Sequence, residues 1–314
     1  MEASRRYVLI SPCRDEAQYM RRTLESVAAQ TVPPALWVGV DDGSTDDTPA
    51  ILEDYRARLP YLSVVRRADR GQRSVGPGVI EAFYAGLETV PLDEFEYVCK
   101  LDLDLDLPRR YFELLMDRME ANPRIGTTSG KAYFVDPRTG SSVSEVCGDE
   151  MSVGMTKFYR TSCFREIGGF VQQVMWDGID CHRCRMLGWI AESVDDQSLR
   201  FLHLRPMGSS QTGIWTGRVR SGYGQYFMGT SPLYLLAGAV QRVLKHPVFL
   251  GSVAVLWGYF SSAIRGVRRH DDMAFRTFVR RYQHACLLRG KREATRRLNE
   301  AQEPLWRAAH GPKA

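Results

Sequence analysis

The feature that most constrains the fold of this chain is the regular alternation of short β-rich runs with helical patterns over its first 130 residues. Tyr7–Ile10 is typical of a buried strand, and residues 21–29 carry apolar side chains at helical spacing. Further strand patterns follow at 36–40, 62–65 and 97–101. This β-α-β-α order predicts an α/β fold with a mainly parallel sheet covered by helices on both faces.

The helices between these strands have recognisable start signals. Ser44 or Thr45 is a predicted cap for the second helix, and Pro108 is expected to open the fourth.

After residue 126 the pattern of strands and helices becomes mixed, and the segments 221–241 and 246–264 contain no Asp, Glu, Lys or Arg. We therefore predict an α/β domain over 1–215 and a helical C-terminal region over 216–314.

The composition excludes several classes of protein. With 44% hydrophobic and 25% charged residues, whole-chain disorder, collagen and coiled coil are excluded. The formal net charge of +5 is too small to indicate a class of binding partner. The C-terminal region is basic, but no RNA-binding motif accompanies it, so we expect no nucleic-acid partner. Seven cysteines without framework spacing, and no visible signal peptide, favour a reduced intracellular protein.

The strongest local signal is the acidic run that follows the fourth predicted strand. Asp102, Asp104 and Asp106 stand at spacing two, and such carboxylates are costly unless they are solvated or paired with a cation. Mg²⁺ and Mn²⁺ take oxygen ligands and bridge to phosphates. The alternative is a loop of solvated acids, but ligands in parallel sheets bind at the carboxyl ends of strands, which favours a metal site.

Two more polar segments follow strands of the same predicted sheet. In the segment Val40–Thr48, Gly43 permits a tight turn and Asp42 lies at the carboxyl edge, where it can accept from a nucleoside base. Taken alone, a turn with a helix cap explains this segment equally well. After the first strand, Arg14 and Asp15 could line the same cleft, although in isolation their segment is simply a loop.

Together these segments closely resemble glycosyltransferase family 2, the nucleotide-sugar transferases of GT-A fold. The family's Pro-x-(Asn/Arg)-(Glu/Asp)-Glu loop appears at Pro12–Glu16, and its Ser-Val-x-x-Gln appears at Ser26–Gln30. Its Val-Asp-Asp-Gly-Ser-x-Asp-x-Thr is whole at Val40–Thr48, and its metal-binding Asp-x-Asp matches Asp102–Asp104. The resemblance covers about residues 6–205.

The resemblance implies a role for most of these residues. Asp42 is expected to contact the nucleotide base, and Asp104 to bind Mn²⁺ or Mg²⁺ with Asp102 near the ribose or the metal. Asp106 lies outside the matched pair and is expected to cap the helix at Pro108. The remaining predicted donor-site residues are Pro12, Arg14 and Asp15.

A catalytic base is implied further along the chain. The family places a Glu-Asp pair at a helix start, and spacing back from Gly188-Trp189 puts Asp177 at the base position. Trp176 replaces the expected acid, and Asp180, one helical turn later, is the rival. His203 follows a predicted strand and is a candidate further metal ligand.

The C-terminal region contains an uncharged segment that could contact a membrane. Residues 246–264 nearly reach the length of a spanning helix, and Arg265, Arg268 and Arg269 follow at once. We expect peripheral attachment to an anionic membrane surface, on the cytoplasmic face. The alternatives are an internal packing helix and a full span.

The resemblance implies inverting transfer of a sugar from a UDP- or GDP-linked donor to an acceptor hydroxyl. A lipid-linked saccharide in cell-surface or exopolysaccharide assembly is the expected acceptor. The processive synthases of the family carry Gln-x-x-Arg-Trp, from which Gln211–Trp215 departs, so addition of one sugar at a time is expected. A nucleotidylyltransferase and a non-catalytic membrane scaffold are the alternatives, and the sequence leaves the oligomeric state open.

Overall fold

The chain folds into two compact units, which are described separately. The first unit comprises Met1–Gln172 and Ile190–Pro206, and the second comprises Gln173–Trp189 and Met207–Ala314. The structure, a computed structural model, describes residues 5–71, 76–145, 147–205, 214–242 and 250–311. The predicted boundary between domains at residue 215 stays a prediction.

The first unit is built on a seven-stranded sheet with a smaller sheet of four strands. The larger sheet has the order β10-β6-β9-β4-β1-β2-β3, and the smaller has the order β5-β11-β7-β8. The strands are β1 (Tyr7–Cys13), β2 (Leu36–Asp41), β3 (Leu62–Arg66), β4 (Tyr97–Leu101), β5 (Leu105–Asp106), β6 (Ile125–Ser129), β7 (Ala132–Val135), β8 (Ser142–Ser144), β9 (Thr156–Arg160), β10 (Ile190–Ser193) and β11 (Phe201–His203). In the larger sheet only β9 runs antiparallel to its neighbours, which confirms the predicted mainly parallel α/β fold.

Five α-helices lie between these strands in the described residues of the first unit. They are α1 (Met20–Ala28), α2 (Thr48–Arg58), α3 (Pro77–Leu87), α4 (Tyr111–Ala121) and α5 (Thr161–Glu166), and two short 3-10 helices lie at Leu92–Glu94 and Gln197–Leu199. The predicted caps of α2 were wrong: its N-cap is Asp47. The reason is that the backbone N–H groups of Ser44 and Thr45 donate to the side chains of Asp41 and Asp15.

Aromatic side chains form the core beneath the middle of the larger sheet. The rings of Tyr7 and Phe112 lie 4.9 Å apart, and those of Tyr97 and Phe158 stack at 5.1 Å. Burial of such large side chains, each worth roughly 1.5–3 kcal/mol, fixes β1 and β4 side by side. Their carboxyl ends, and that of β2, therefore meet along one edge of the sheet.

The second unit is helical. Its helices are α6 (Trp176–Met186), α7 (Ile214–Met228), α8 (Pro232–Arg242), α9 (Leu250–Ile264), α10 (Met273–Arg289) and α11 (Lys291–His310). Helices α7 and α9 cross closely at two glycines. A Cβ at Gly258 would lie 2.0 Å from the carbonyl oxygen of Val219, and one at Gly222 would lie 2.0 Å from that of Val255. Only glycine at both positions allows this approach of the two backbones.

Candidate functional site

The loops that follow β1 and β2 are interlocked by hydrogen bonds. The carboxylate of Asp15 accepts from the backbone N–H of Thr45 at 2.8 Å, and the hydroxyl of Thr48 accepts from the N–H of Glu16 at 2.8 Å. Gly43 adopts φ +73°, and a Cβ there would lie 2.4 Å from the Cα of Asp69. Glycine is therefore required where the loops after β2 and β3 meet.

Asp42 lies in this cluster, where two arginines hold its carboxylate. Arg67 Nη1 donates to Oδ1 at 2.7 Å, and Arg70 Nη2 donates to the same oxygen at 2.7 Å. The side chain of Asp42 is only 10% exposed. The hydrogen bond to Asp42 raises the pKa of Arg70, whose other Nη donates to Glu81 at 2.6 Å. The orientation of the carboxylate is thus fixed from two sides.

The other predicted donor-site residues of this segment lie in different positions. Arg14 reaches the Asp42 cluster, since its Nη1 donates to the carbonyl oxygen of Asp42 at 2.9 Å and its Nη2 to Asp69 at 2.7 Å. Asp15 instead supports the loop through Thr45. Pro12 is buried within β1, paired with Val40 of β2.

The acidic run after β4 divides into three environments. The carboxylate of Asp102, 30% exposed, accepts from the buried Lys100 ammonium, which also donates to the carbonyl of Gly154 at 3.1 Å. Asp104 is buried, so the alternative of a fully solvated loop fails at this residue. The predicted cap at Asp106 was wrong, because Asp106 belongs to β5 and accepts from Arg22 at 2.9 Å, while α4 has its N-cap at Arg110.

Asp104 is the centre of a buried charge network. His203 Nε2 lies 3.3 Å from Asp104 Oδ2, and Arg205 Nε lies 2.7 Å from the same oxygen. His203 Nδ1 lies 2.9 Å from Glu145 Oε2, and Arg205 Nη2 donates to Glu16 at 2.7 Å. The structure thus brings together Asp104 and His203, the two candidate metal ligands.

The pKa values in this network follow from its contacts. Burial by itself lowers the pKa of His203, but hydrogen bonds to Asp104 and Glu145 outweigh it and raise the pKa to about 9. Burial by itself raises the pKa of Asp104, but the hydrogen bond from His203 and the charge of Arg205 hold it below the usual range. With no metal bound, His203 is therefore charged at neutral pH, and its imidazolium lies between the carboxylates of Asp104 and Glu145.

Two carboxylates of the acidic run carry oxygen atoms of the kind that a hard divalent cation takes. Asp104 Oδ1 is buried and has no hydrogen-bond partner, and Asp102, two residues earlier, carries a second carboxylate. Carboxylate oxygens are the ligands that Mg²⁺ and Mn²⁺ prefer. Among the described residues, no group of three or more His, Cys, Asp or Glu side chains is already arranged to hold a metal ion.

Several charged residues of this site were missed by the sequence analysis. Arg67 and Arg70 directly follow β3, so the rule that strand ends carry the site could have found them. Arg205 also follows a strand, β11, so the same rule could have found it. Glu145 could not be found in this way, because it follows β8, a strand that the sequence did not predict, and reaches His203 across 58 residues of chain.

The two candidate bases lie on α6, in the second unit. Asp177 is half-buried in the first turn of the helix, which follows Met175 at φ +65°. Asp180 is 1% exposed, and its Oδ1 accepts from the backbone N–H of Cys181 at 2.6 Å. Cys181 and Cys184, which form the C-x-x-C pattern of this helix, are both buried thiols.

Comparison with protein families gives one match over more than half of the chain. The model of glycosyl transferase family 2 matches residues 8–176. A curated relative, the poly-beta-1,6-N-acetyl-D-glucosamine synthase of Staphylococcus epidermidis, is 25% identical over 119 residues. That match covers 38% of this chain and 26% of the relative, so the chain spans about a quarter of the relative's length.

Solved structures with a similar fold include a mannosyltransferase and TarS. The mannosyltransferase PcManGT from Pyrobaculum calidifontis, in complex with GDP-Man and Mn²⁺, has a TM-score of 0.52 at 18% identity, covering 98% of this chain and 86% of that one. TarS 1-349 of S. aureus, in complex with UDP-GlcNAc, has a TM-score of 0.53 at 17% identity, covering 97% and 92%. These likenesses confirm the predicted GT-A fold.

Proposed function

The chain belongs to glycosyl transferase family 2, and we propose that it moves a sugar from a UDP- or GDP-linked donor to an acceptor hydroxyl, with inversion at the anomeric carbon. The observation that carries this proposal is the placement of two buried carboxylates at the carboxyl edge of one mainly parallel sheet, Asp42 after β2 and Asp104 after β4. The nucleotide sugars held by PcManGT and TarS support the donor class.

Asp42 is the proposed contact for the nucleoside base. Its carboxylate is already held in one orientation by Arg67 and Arg70, so it would not have to be ordered when a base N–H donates to it. Preorganised hydrogen-bond acceptors bind tighter because less side-chain entropy is lost on binding. Arg14, which donates to the carbonyl of Asp42, holds the same loop in place.

Asp104 and Asp102 are the residues proposed to hold Mn²⁺ or Mg²⁺. A divalent ion bound there supplies Lewis-acid neutralisation of the diphosphate as it leaves. The contribution of the chain itself is orientation. His203 is held by Glu145 and in turn fixes Asp104 Oδ2, so that Oδ1 is the oxygen left for the metal.

Asp177 is the proposed catalytic base, with Asp180 as the alternative. The base accepts the proton of the acceptor hydroxyl as that oxygen attacks the anomeric carbon opposite the nucleotide. The greater exposure of Asp177 supports it, since a base must reach the acceptor, whereas Asp180 is buried and bonded to its own helix. Holding donor and acceptor in line supplies much of the remaining rate advantage.

The outer surface of α8 and α9 supports a membrane-bound acceptor. The part of the chain that the structure describes has no helix long and apolar enough to cross a membrane. One side of α9 packs on α7, but its other side exposes apolar residues at spacings of three and four, which lie on one face. The exposed apolar residues are Leu250, Val253, Trp257, Phe260 and Ile264 of α9, and Leu233, Leu236 and Val240 of α8.

We call these eight residues the apolar stripe and propose that it lies in the interface of an anionic membrane, at the inner face of the cell membrane. Arg265 follows α9 directly and is exposed, as an interfacial segment requires. Two other basic residues of the predicted cluster are already engaged within the protein. Arg268 pairs with Asp271, and the guanidinium of Arg269 stacks on the ring of Tyr226 at 4.4 Å, so we propose that both contribute less to membrane binding than Arg265. A lipid-linked saccharide in polysaccharide assembly is the acceptor that fits this placement.

The function is tested by incubating the protein with UDP- and GDP-sugars, with and without Mn²⁺, and identifying the released nucleotide. A glycosyltransferase releases UDP or GDP, by transfer or by slow hydrolysis, and does so faster with Mn²⁺. Release of pyrophosphate would instead show a nucleotidylyltransferase. A non-catalytic scaffold would release nothing from any donor.

A further inference from the structure

Arg205 joins two buried carboxylates that would otherwise repel each other. It follows β11, and its guanidinium lies 2.7 Å from Asp104 on one side and 2.7 Å from Glu16 on the other. The side chains of Asp104 and Glu16 are 5% and 6% exposed, and that of Arg205 is 18% exposed. Buried carboxylates are stable only when paired, and Arg205 is the cation that pairs with both Asp104 and Glu16, while His203 also contacts Asp104.

The two oxygens of Asp104 have different environments. Oδ2 is contacted by both Arg205 and His203, whereas Oδ1 is buried and has no hydrogen-bond partner. A divalent ion on Oδ1 would lie within roughly 5 Å of the guanidinium, at which distance like charges repel strongly in a partly buried site. Arg205 and a metal ion therefore compete for the charge of Asp104.

We propose that Arg205 is an exchangeable cation: it neutralises Asp104 when no donor is bound, and donates to the donor's diphosphate when a metal-nucleotide complex occupies Asp104. This inference rests on the proposed function, which supplies a nucleoside diphosphate as ligand. A guanidinium suits the exchange because its planar fork matches carboxylate and phosphate equally well.

The exchange predicts opposite effects of one substitution on two ligands. In Arg205→Gln the competitor of the metal is gone, so Mn²⁺ alone should bind on the order of tenfold tighter. UDP or GDP at saturating Mn²⁺ should bind about tenfold weaker, because a charge-assisted bond to phosphate is lost. A purely structural role of Arg205 would weaken both ligands together.

The measurement is titration calorimetry on the full chain, with Mn²⁺ alone and then with UDP and GDP. Arg22→Gln is the matched control, since it removes the arginine from Asp106, the third carboxylate of the same run, and should change neither affinity. Arg205→Lys keeps the charge and should hold Mn²⁺ affinity within about threefold of the wild type. Thermal unfolding confirms that each variant is folded.

Two outcomes overturn the inference. One is a folded Arg205→Gln protein that binds Mn²⁺ as the wild type does or more weakly. The other, which needs no substitution that could unfold the chain, is an Nε–H resonance of Arg205 in the wild type that does not move when Mg²⁺ and UDP or GDP are added together. A wild type that binds neither UDP nor GDP would overturn the proposed function as well, so the two failures are distinguishable.

Discussion

The two units depart from ordinary globular construction in opposite ways. The first unit buries charged side chains. Lys100, near the end of β4, and Asp42 and Asp104, in the loops after β2 and β4, are all buried. The second unit exposes apolar surface, with Trp257 59% and Ile264 87% exposed on α9. Each departure costs folding free energy unless a ligand or partner compensates it. Under the proposed function, the donor and the membrane are therefore recognised by separate parts of the chain.

The first test of this difference removes the buried charge of Asp104 in the first unit. Asp104→Asn keeps the shape of the side chain but weakens its hold on a divalent ion. We expect transfer to fall by about a thousandfold, since metal stabilisation of the leaving group is worth several kcal/mol. The measurement is the initial rate of UDP or GDP release at saturating Mn²⁺. Asp106→Asn, at an exposed pair with Arg22, should cost far less, and an equal loss from both would contradict the assignment of Asp104.

The second test concerns the proposed base, Asp177, which lies in the helical unit, whereas the proposed donor site lies in the first unit. Asp177→Asn removes the proton acceptor and should lower transfer by roughly 10²–10⁴-fold while leaving UDP or GDP binding unchanged. Asp180→Asn should instead lower the temperature of unfolding, because Asp180 is buried and bonded within α6. If Asp180→Asn lowers transfer with unchanged stability and Asp177→Asn does not, the base is Asp180.

The sequence predicted the first unit better than the second for a physical reason. Asp42 and Asp104 follow strands of a parallel sheet, and chain order alone brings such ends together. His203, the last residue of β11, was chosen as a candidate because of its place at a predicted strand end. Its contact Glu145 was not predicted, because that contact spans 58 residues of chain. Local patterns contain no information on such pairs.

In the helical unit the sequence left three alternatives for 246–264, and residues 246–249 lie outside the described ranges. An uncharged run is compatible with packing, with an interface and with a span. What the structure adds is the pair Gly222 and Gly258, which fixes one side of α9 against α7. Their close approach is a property of two helices, and neither segment reveals it alone.

The third test changes the packing of α7 against α9 in the helical unit. Gly258→Ala places a Cβ 2.0 Å from the carbonyl oxygen of Val219 and should cost about 1–3 kcal/mol of stability through overpacking. Gly238→Ala in α8 meets no atom within 4 Å and should stabilise by about 0.5–1 kcal/mol through helix propensity. Thermal unfolding measures both. Equal shifts would show that the α7–α9 crossing does not constrain the helix.

The last and smallest effect tests the apolar stripe. Trp257→Ser removes one large exposed side chain from α9, and its loss of apolar burial in a bilayer should reduce partitioning onto anionic vesicles by roughly tenfold. Leu288→Ser is the matched control, because Leu288 is 81% exposed on α10, outside the stripe, and should leave partitioning unchanged. Sedimentation with phosphatidylserine-containing vesicles measures the bound fraction.

The same vesicle assay separates the two parts of the membrane contact. Arg265→Glu should reduce binding severalfold at low salt and less at high salt, since each basic residue near an anionic surface contributes on the order of 1 kcal/mol that salt screens. The Trp257→Ser loss should persist at high salt because apolar burial is not screened. Neither change should alter the release of UDP or GDP, as both residues lie outside the donor site. Vesicle binding that neither change reduces would contradict the stripe as the membrane contact.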